Sequence, residues 1–146
     1  MVKAIPDEYG NVTPYLVVEG AEELLGFLQN TFGATIRGGD YMRGPDGKIG
    51  HAEVEIGNSI VMLADVPPEG EAMRAMLNVY VEDCDATYKK ALAAGAESVR
   101  EPEDQFYGDR GGGVKDKWGN QWYISTHIED VSPEEMERRV KEQFGS

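Results

Sequence analysis

The chain has 146 residues, enough for one compact domain over residues 1–146, and carries 27 Asp and Glu against 14 Lys and Arg, a formal net charge of −13. Such an acidic surface repels nucleic-acid phosphates, and no apolar run reaches the roughly 18 residues of a membrane span, so we expect neither nucleic acid nor a membrane as partner. The single cysteine, Cys84, and the absence of a signal-like N-terminal segment favour a cytoplasmic protein.

The first part of the chain, residues 12–65, predicts the element order β-α-β-β-β. An apolar run predicts a strand over residues 12–18. Apolar residues at helical spacing then predict a helix that ends at Gly33, which supplies the left-handed stop. Three further strands are predicted over residues 35–43, 49–56 and 59–64.

The second part, residues 75–127, repeats this order. A strand over residues 76–81 precedes a helix over residues 86–94, which Gly95 ends. Either Asp83 or Asp85 can cap the start of this helix. Three strands are predicted within residues 97–101, 111–115 and 120–126.

The two parts also share short sequence anchors in the same order. YLVVEG, beginning at Tyr15, resembles NVYVED, beginning at Asn78, and each predicted helix ends in Gly-Ala. A Gly-Asn turn follows in each part, at residues 57–58 and 119–120. We interpret the chain as a duplicated module of the α+β class, with helices covering one face of each sheet.

A last helix is predicted over residues 132–144. Ser132 is its expected N-cap, Pro133 occupies the first turn, and Glu135 completes a capping box. Its apolar residues recur at four-residue intervals and predict a narrow stripe that docks on the domain or on a second subunit. They are Met136, Val140 and Phe144.

The glycine-rich stretch YGDRGGGVKDKWGNQW, residues 107–122, is not a phosphate-binding loop. In such a loop Ser or Thr follows the lysine, whereas Lys115 is followed by Asp116, which repels phosphate. The stretch also runs into a strand pattern rather than a helix. It predicts a hairpin whose glycines mark the close approach of a ligand or another backbone.

The amino-acid sequences of the two modules resemble those of the vicinal oxygen chelate superfamily, which includes glyoxalase I, bleomycin-resistance proteins and extradiol dioxygenases. The matching segments include TPYLVVEGAEELLGFLQNTFGA, GPDGKIGHAEVEIGNSIVMLAD and EDQFYGDRGGGVKDKWGNQWYIST. Within the superfamily, the chain is most similar to the PhnB-type, glyoxalase-like branch. The resemblance implies two β-α-β-β-β modules whose curved mixed sheets enclose a cavity, and a homodimer.

In metal-dependent members of that family, His, Gln or Glu from the first and last strands of each module hold an ion. The corresponding segments here, residues 12–18, 60–64, 75–81 and 122–126, contain only Asn78 and Tyr123 at comparable places. A catalytic ion usually takes about three His or carboxylate ligands. We therefore expect no bound metal and no other cofactor.

Strand alternation instead predicts a cavity lined by aromatic and a few polar side chains. The predicted ligand-binding residues are Tyr15, Asn78, Tyr80, Phe106, Tyr107, Arg110 and Tyr123. For Arg110, which follows Asp109, two roles are open: binding an anionic group of a ligand, or an internal ion pair that fixes its loop.

His51 and Glu53 are the candidate catalytic pair, because alternation places both on one face of a strand. The alternative is a surface histidine beside solvated carboxylates. His127 lies in a charged run and is expected to be a surface residue.

Three functions are compatible with these features. The first is a cytoplasmic, homodimeric, metal-free protein that binds or sequesters a planar small molecule. The second is a lyase or dioxygenase-like enzyme that uses His51 and Glu53, or an atypical metal site. The third is an interaction module whose C-terminal helix docks a protein partner.

Overall fold

The structure is a computed structural model that describes residues 2–145. The chain forms two compact units, Met1–Ala75 and Met76–Ser146, and each contains one copy of the predicted repeat. Each unit combines one sheet with helices, which confirms the α+β class and the two mixed sheets. Within the described residues, no helix is long and apolar enough to cross a membrane.

Over residues 2–75, the first unit contains one α-helix and five strands. They are β1 (Tyr15–Val18), α1 (Ala21–Phe32), β2 (Thr35–Ile36), β3 (Met42–Arg43), β4 (Ile49–Ile56) and β5 (Ser59–Asp65). The strands are ordered β1-β5-β4-β2, with β3 also paired to β4, and only β1 and β5 run parallel. Helix α1 packs on this sheet through apolar residues at helical spacing, among them Leu24 and Leu28, which are fully buried.

Two strand predictions in this unit are too long. Strand β1 begins at Tyr15 rather than at residue 12, directly after Pro14, which has no N–H to contribute to the ladder. The strand predicted over residues 35–43 is interrupted by a 3-10 turn, Arg37–Gly39. Gly38 and Gly39 adopt φ angles of 73° and 78°, which a continuous strand cannot contain.

The described part of the second unit, residues 76–145, contains two helices and four strands. They are β6 (Met76–Tyr80), α2 (Cys84–Ala93), β7 (Glu97–Asp104), β8 (Asp109–Lys115), β9 (Gln121–His127) and α3 (Pro133–Phe144). The sheet order is β6-β9-β8-β7, with β6 and β9 parallel. Asp83 is the N-cap of α2, since its side chain accepts the N–H of Ala86 at 3.1 Å. One of the two predicted caps is thereby confirmed.

The C-terminal helix α3 begins as predicted. The Glu135 N–H donates to the Ser132 hydroxyl at 3.2 Å, with Pro133 in the first turn. The Glu135 carboxylate pairs with Arg138 and Arg139 instead of completing a capping box. Phe144 is 70% exposed, so this end of the apolar stripe is largely uncovered.

Candidate functional site

The second unit carries an open pocket of about 530 Å³ on one face of its sheet. Three of the predicted ligand-binding residues line it: Asn78, Tyr107 and Tyr123. The other lining residues are Met76, Leu77, Arg100 and Ser125. Aromatic and apolar surface with a few polar groups is the usual composition of a small-molecule site.

A row of paired residues across the four strands builds this pocket. Asn78 on β6 lies opposite Tyr123 on β9, Tyr123 lies opposite Gly113 on β8, and Gly113 lies opposite Arg100 on β7. A Cβ atom on Gly113 would lie 2.9 Å from the Tyr123 ring. The glycine therefore leaves room for that ring. The close approach of another backbone that was expected at this triple glycine is found at Gly111 and Gly112, where added Cβ atoms would each lie 2.8 Å from a backbone carbonyl oxygen, of Ile124 and Arg100 respectively.

The polar side of the pocket is a hydrogen-bonded pair. The Ser125 hydroxyl donates to the Asn78 side-chain carbonyl at 3.0 Å. This bond orients the amide, whose NH₂ group is the part that can donate to a ligand. The Tyr123 hydroxyl donates to the Gln121 side chain at 3.2 Å, which fixes the ring's outer end.

Tyr80 and His127 share a carboxylate in the same unit. The Tyr80 hydroxyl donates to Asp109 at 2.6 Å, and His127 Nδ1 lies 2.8 Å from the other oxygen of Asp109. His127 Nε2 lies 2.7 Å from Asp130. The hydrogen bonds to Asp109 and then to Asp130 raise the pKa of His127. His127 is half exposed, as predicted, but the sequence did not show that it joins two carboxylates.

Arg110 forms the internal ion pair that was one of its two predicted roles. Its Nε and Nη2 lie 2.8 and 2.9 Å from the two oxygens of Asp85, and its Nη1 lies 3.0 Å from Asp104. These hydrogen bonds, to Asp85 first, raise the pKa of Arg110. The partners come from α2 and β7, and not from the adjacent Asp109. The guanidinium is thus engaged, and this geometry lends no support to a ligand-binding role.

Phe106 and Tyr107 lie in the loop between β7 and β8. The Phe106 ring meets Tyr107 edge-on at 5.3 Å and Phe144 of α3 at 5.6 Å. Arg139 also donates to the Phe106 carbonyl at 2.9 Å. Phe106 therefore attaches the last helix to this loop, while Tyr107 reaches the pocket.

The predicted catalytic pair lies in the first unit and is part of a larger cluster. His51 Nε2 lies 2.7 Å from Glu53, and His51 Nδ1 lies 2.8 Å from the hydroxyl of Tyr15. The other Glu53 oxygen accepts from the Tyr9 hydroxyl and lies 3.4 Å from Arg37. Sequence analysis missed both residues. Tyr9 precedes the first predicted strand, and Arg37 was assigned to the strand predicted over residues 35–43, where the structure has a 3-10 turn instead.

The hydrogen bonds of this cluster favour an ionised Glu53. Burial raises the pKa of Glu53, but the hydrogen bonds from His51 and Tyr9 outweigh it and lower the pKa overall. The same bond to Glu53 raises the pKa of Tyr9, and burial raises that of Tyr15. With Nε2–H donating to Glu53, His51 Nδ1 can accept the Tyr15 proton. The arrangement can move a proton at the Tyr15 oxygen.

A second pocket, of about 330 Å³, adjoins this cluster in the first unit. Tyr15 lines it, together with Val17, Lys48, Ile49 and Asp65 among others. Asp65 accepts backbone N–H groups from Gly20, Ala21 and Ile49, so its carboxylate is committed to the fold.

The donor set does not fit the metal ion that is typical of the family resembled. Among residues 2–145, no three His, Cys, Asp or Glu side chains converge into a group that could hold a metal ion. His51 and Glu53 are two donors that bond each other, and the remaining Glu53 oxygen accepts from Tyr9. An atypical metal site at His51 and Glu53 would need at least one further His or carboxylate ligand, and the cluster does not supply one.

Comparison with known proteins agrees with this architecture. Residues 10–124 match the Glyoxalase/Bleomycin resistance protein/Dioxygenase superfamily, and the chain belongs to this family.

One relative and two structural neighbours show how far the similarity extends. An uncharacterized protein of Mycobacterium bovis, Mb0911c, is 34% identical over 143 residues, which cover 90% of this chain and 93% of that protein. The crystal structure of TioX from Micromonospora sp. ML1 superposes with a TM-score of 0.63 at 24% identity, covering 84% of this chain and all of that one. A putative 3-demethylubiquinone-9 3-methyltransferase, PhnB protein, from Bacillus cereus has a TM-score of 0.60 at 21% identity, covering 80% and 99%. At these identities the two structures show a shared fold.

Proposed function

We propose that this protein binds and sequesters a planar small molecule in the pocket of its second unit, without a metal ion. The observation that carries the proposal is the lining of that pocket. The rings of Tyr107 and Tyr123 and the side chain of Met76 supply apolar surface, while Asn78 and Ser125 form a polar pair. Flat apolar compounds with one polar edge match such a site.

The experiment is a titration with a panel of neutral, anionic and cationic fused-ring aromatic compounds, followed by heteronuclear NMR in the presence of EDTA. Binding is expected to shift the amide resonances of Asn78, Tyr123 and Ser125. Replacing the ring in Tyr123→Leu is expected to weaken binding about tenfold. A panel that leaves these resonances unmoved at millimolar concentration would contradict the proposal.

Tyr41→Leu is the matched control, because Tyr41 is a partly buried tyrosine of the first unit and does not line the pocket. It should bind the panel as the unmodified chain does. Recovery of the bound compound chemically unchanged distinguishes sequestration from catalysis.

A second candidate function is an enzyme of the same superfamily that acts through the first unit. The observation in its favour is the Tyr15–His51–Glu53 hydrogen-bond chain beside a pocket. Such a chain suits proton transfer at a carbon or oxygen acid. Incubating the chain with the same panel and following masses would reveal turnover that His51→Ala abolishes and His127→Ala retains. Turnover that survives in His51→Ala contradicts this assignment.

The protein is further proposed to act as a cytoplasmic homodimer, and residues 1–146 to fold as one domain. The family resemblance supports the dimer, as do the exposed apolar side chains of Met76, Tyr80 and Phe144. Light scattering tests the dimer: the mass of one chain at every concentration would contradict it. Deleting residues 132–146 then shows whether α3 takes part. Fractionation of the source cells tests the location, and recovery from a secreted fraction would contradict it.

A further inference from the structure

Arg100 is the positively charged side chain among the residues that line the pocket of the second unit, and irregular backbone pairing of β7 positions it there. The β7–β8 pairing shifts register between Ser98 and Arg100 and again between Arg100 and Glu103. Such irregularities re-aim the side chain that they flank. The residue opposite Arg100 is Gly113, which has no side chain, so the guanidinium lies over the Tyr123 ring at 5.8 Å from its centroid.

Arg100 differs from most other arginines of the chain in its ion pairing. Arg37, Arg43, Arg110, Arg138 and Arg139 each pair with at least one carboxylate. In the part of the chain that the structure describes, residues 2–145, Arg100 has no ion pair. It therefore keeps its hydrogen-bond donors for another anion, although acidic residues outnumber basic ones by 27 to 14.

From this placement we infer that the pocket selects planar compounds that carry a carboxylate, with Arg100 as the residue that binds the negative charge. The inference rests on the proposed binding function and names the class of its ligand. A guanidinium that lies over an aromatic ring keeps its in-plane N–H groups for a carboxylate fork. The Asn78 amide, on the same cross-strand row, supplies a further donor.

The net charge of −13 does not prevent this selection. Repulsion from distant carboxylates is screened beyond about 8 Å at physiological ionic strength, whereas a direct contact with Arg100 is screened much less. The attraction at contact therefore decides the affinity, and the distant charge acts mainly on the rate of association.

The test compares two probes that share a ring system, naphthoate and its neutral amide, naphthamide, by calorimetric titration of the full chain. We expect the unmodified chain to bind naphthoate at least about tenfold more tightly than naphthamide. In Arg100→Gln that preference disappears, because naphthoate loses affinity and naphthamide does not. Arg100 is exposed on the edge strand β7, so this variant is expected to fold, and its circular dichroism checks it.

Lys90→Gln is the matched control, since it removes one positive charge from an exposed position of helix α2 in the same unit. It should keep the preference for naphthoate. Equal binding of both probes to the unmodified chain, or a preference that survives in Arg100→Gln, overturns the anion selection and leaves the pocket's binding function intact. If neither probe binds, the proposed function fails, and the selection fails with it.

Discussion

In the first unit His51 lies between a tyrosine hydroxyl and a carboxylate, whereas in the second unit His127 lies between two carboxylates. A neutral imidazole satisfies the first arrangement, since one nitrogen donates to Glu53 and the other accepts from Tyr15. Two carboxylates need two donors, and only the imidazolium provides them. The partners, and not the repeated fold, therefore give the two histidines different chemistry: one suits proton transfer, and the other keeps its proton to a higher pH.

The two units also differ in how an aspartate holds the sheet, and the largest expected effect lies there. In the second unit the buried Asp116 accepts the N–H groups of Trp118 and Asn120 and the indole N–H of Trp122. Asp116→Ala leaves these donors, of which Asn120 and Trp122 are fully buried, without their acceptor, so we expect a loss of about 3 kcal/mol in the free energy of unfolding. Urea denaturation measures it.

Asp65→Ala is the corresponding variant of the first unit. Asp65 accepts three N–H groups, whereas Asp116 accepts a fourth from the Asn120 side chain at 3.1 Å, and Asp65 is only partly buried, so water can replace part of what is lost. We expect a smaller loss, of about 1–2 kcal/mol. Equal effects of the two substitutions would show that neither burial nor the number of donors separates these aspartates.

The pocket of the second unit depends on Gly113, and a substitution there provides the next test. The Cβ of Gly113→Ala meets the Tyr123 ring at 2.9 Å, so the ring must move. We expect a loss of about 1–2 kcal/mol in stability from overpacking. The affinity for the planar probes should fall as well. Thermal unfolding and calorimetric titration measure the two effects.

Gly26→Ala is the control from the first unit. Gly26 lies inside helix α1, and a Cβ atom there meets nothing within 4 Å. The substitution should stabilise the chain by about 0.5–1 kcal/mol, because alanine loses less backbone entropy in a helix. A Gly113→Ala chain that behaves like Gly26→Ala would remove the steric role assigned to Gly113.

Local patterns explain why much of the fold could be predicted. The duplicated order, the Asp83 cap and the Ser132 cap depend on residues a few positions apart, and a sequence shows these directly. His51 and Glu53 share a face for the same reason, since strand alternation is local.

The parts that could not be predicted depend on distant or irregular partners. Arg110 pairs with Asp85, 25 residues away, although Asp109 is its neighbour. Arg100 is positioned by irregular pairing of β7, which no spacing in the sequence indicates. Tyr9 contacts Glu53 across 44 residues of sequence, and no local spacing indicates that contact either. The alternation of apolar and polar residues therefore predicted where the strands lie, but not which side chains from distant parts of the chain contact each other.

The charge of His127 predicts a smaller effect, which depends on pH. Since folding raises the pKa of His127, its contribution to stability is fully present below the ordinary value of about 6.5 and is lost as the pH rises through the raised pKa. His127→Gln should therefore lower the Tm by roughly 1–3 °C near pH 6 and by less near pH 9. Asp130→Asn, which replaces one of the two carboxylates by a neutral amide, should reduce this pH dependence. A gap between the variant and the unmodified chain that is constant with pH would refute the assignment.

The smallest expected change is the position of one proton, and it separates the two histidines most directly. The chain has only two histidines, so their ring resonances can be assigned by comparison with His51→Gln and His127→Gln. In its neutral form His51 should carry its proton on Nε2, because Glu53 accepts there and the Tyr15 hydroxyl donates to Nδ1. Long-range nitrogen–proton NMR distinguishes this tautomer. Tyr15→Phe removes one of these two partners and should raise the share of the other tautomer. A proton found on Nδ1 of the unmodified chain would mean that His51 donates to Tyr15, and the route for proton transfer at the Tyr15 oxygen would be closed.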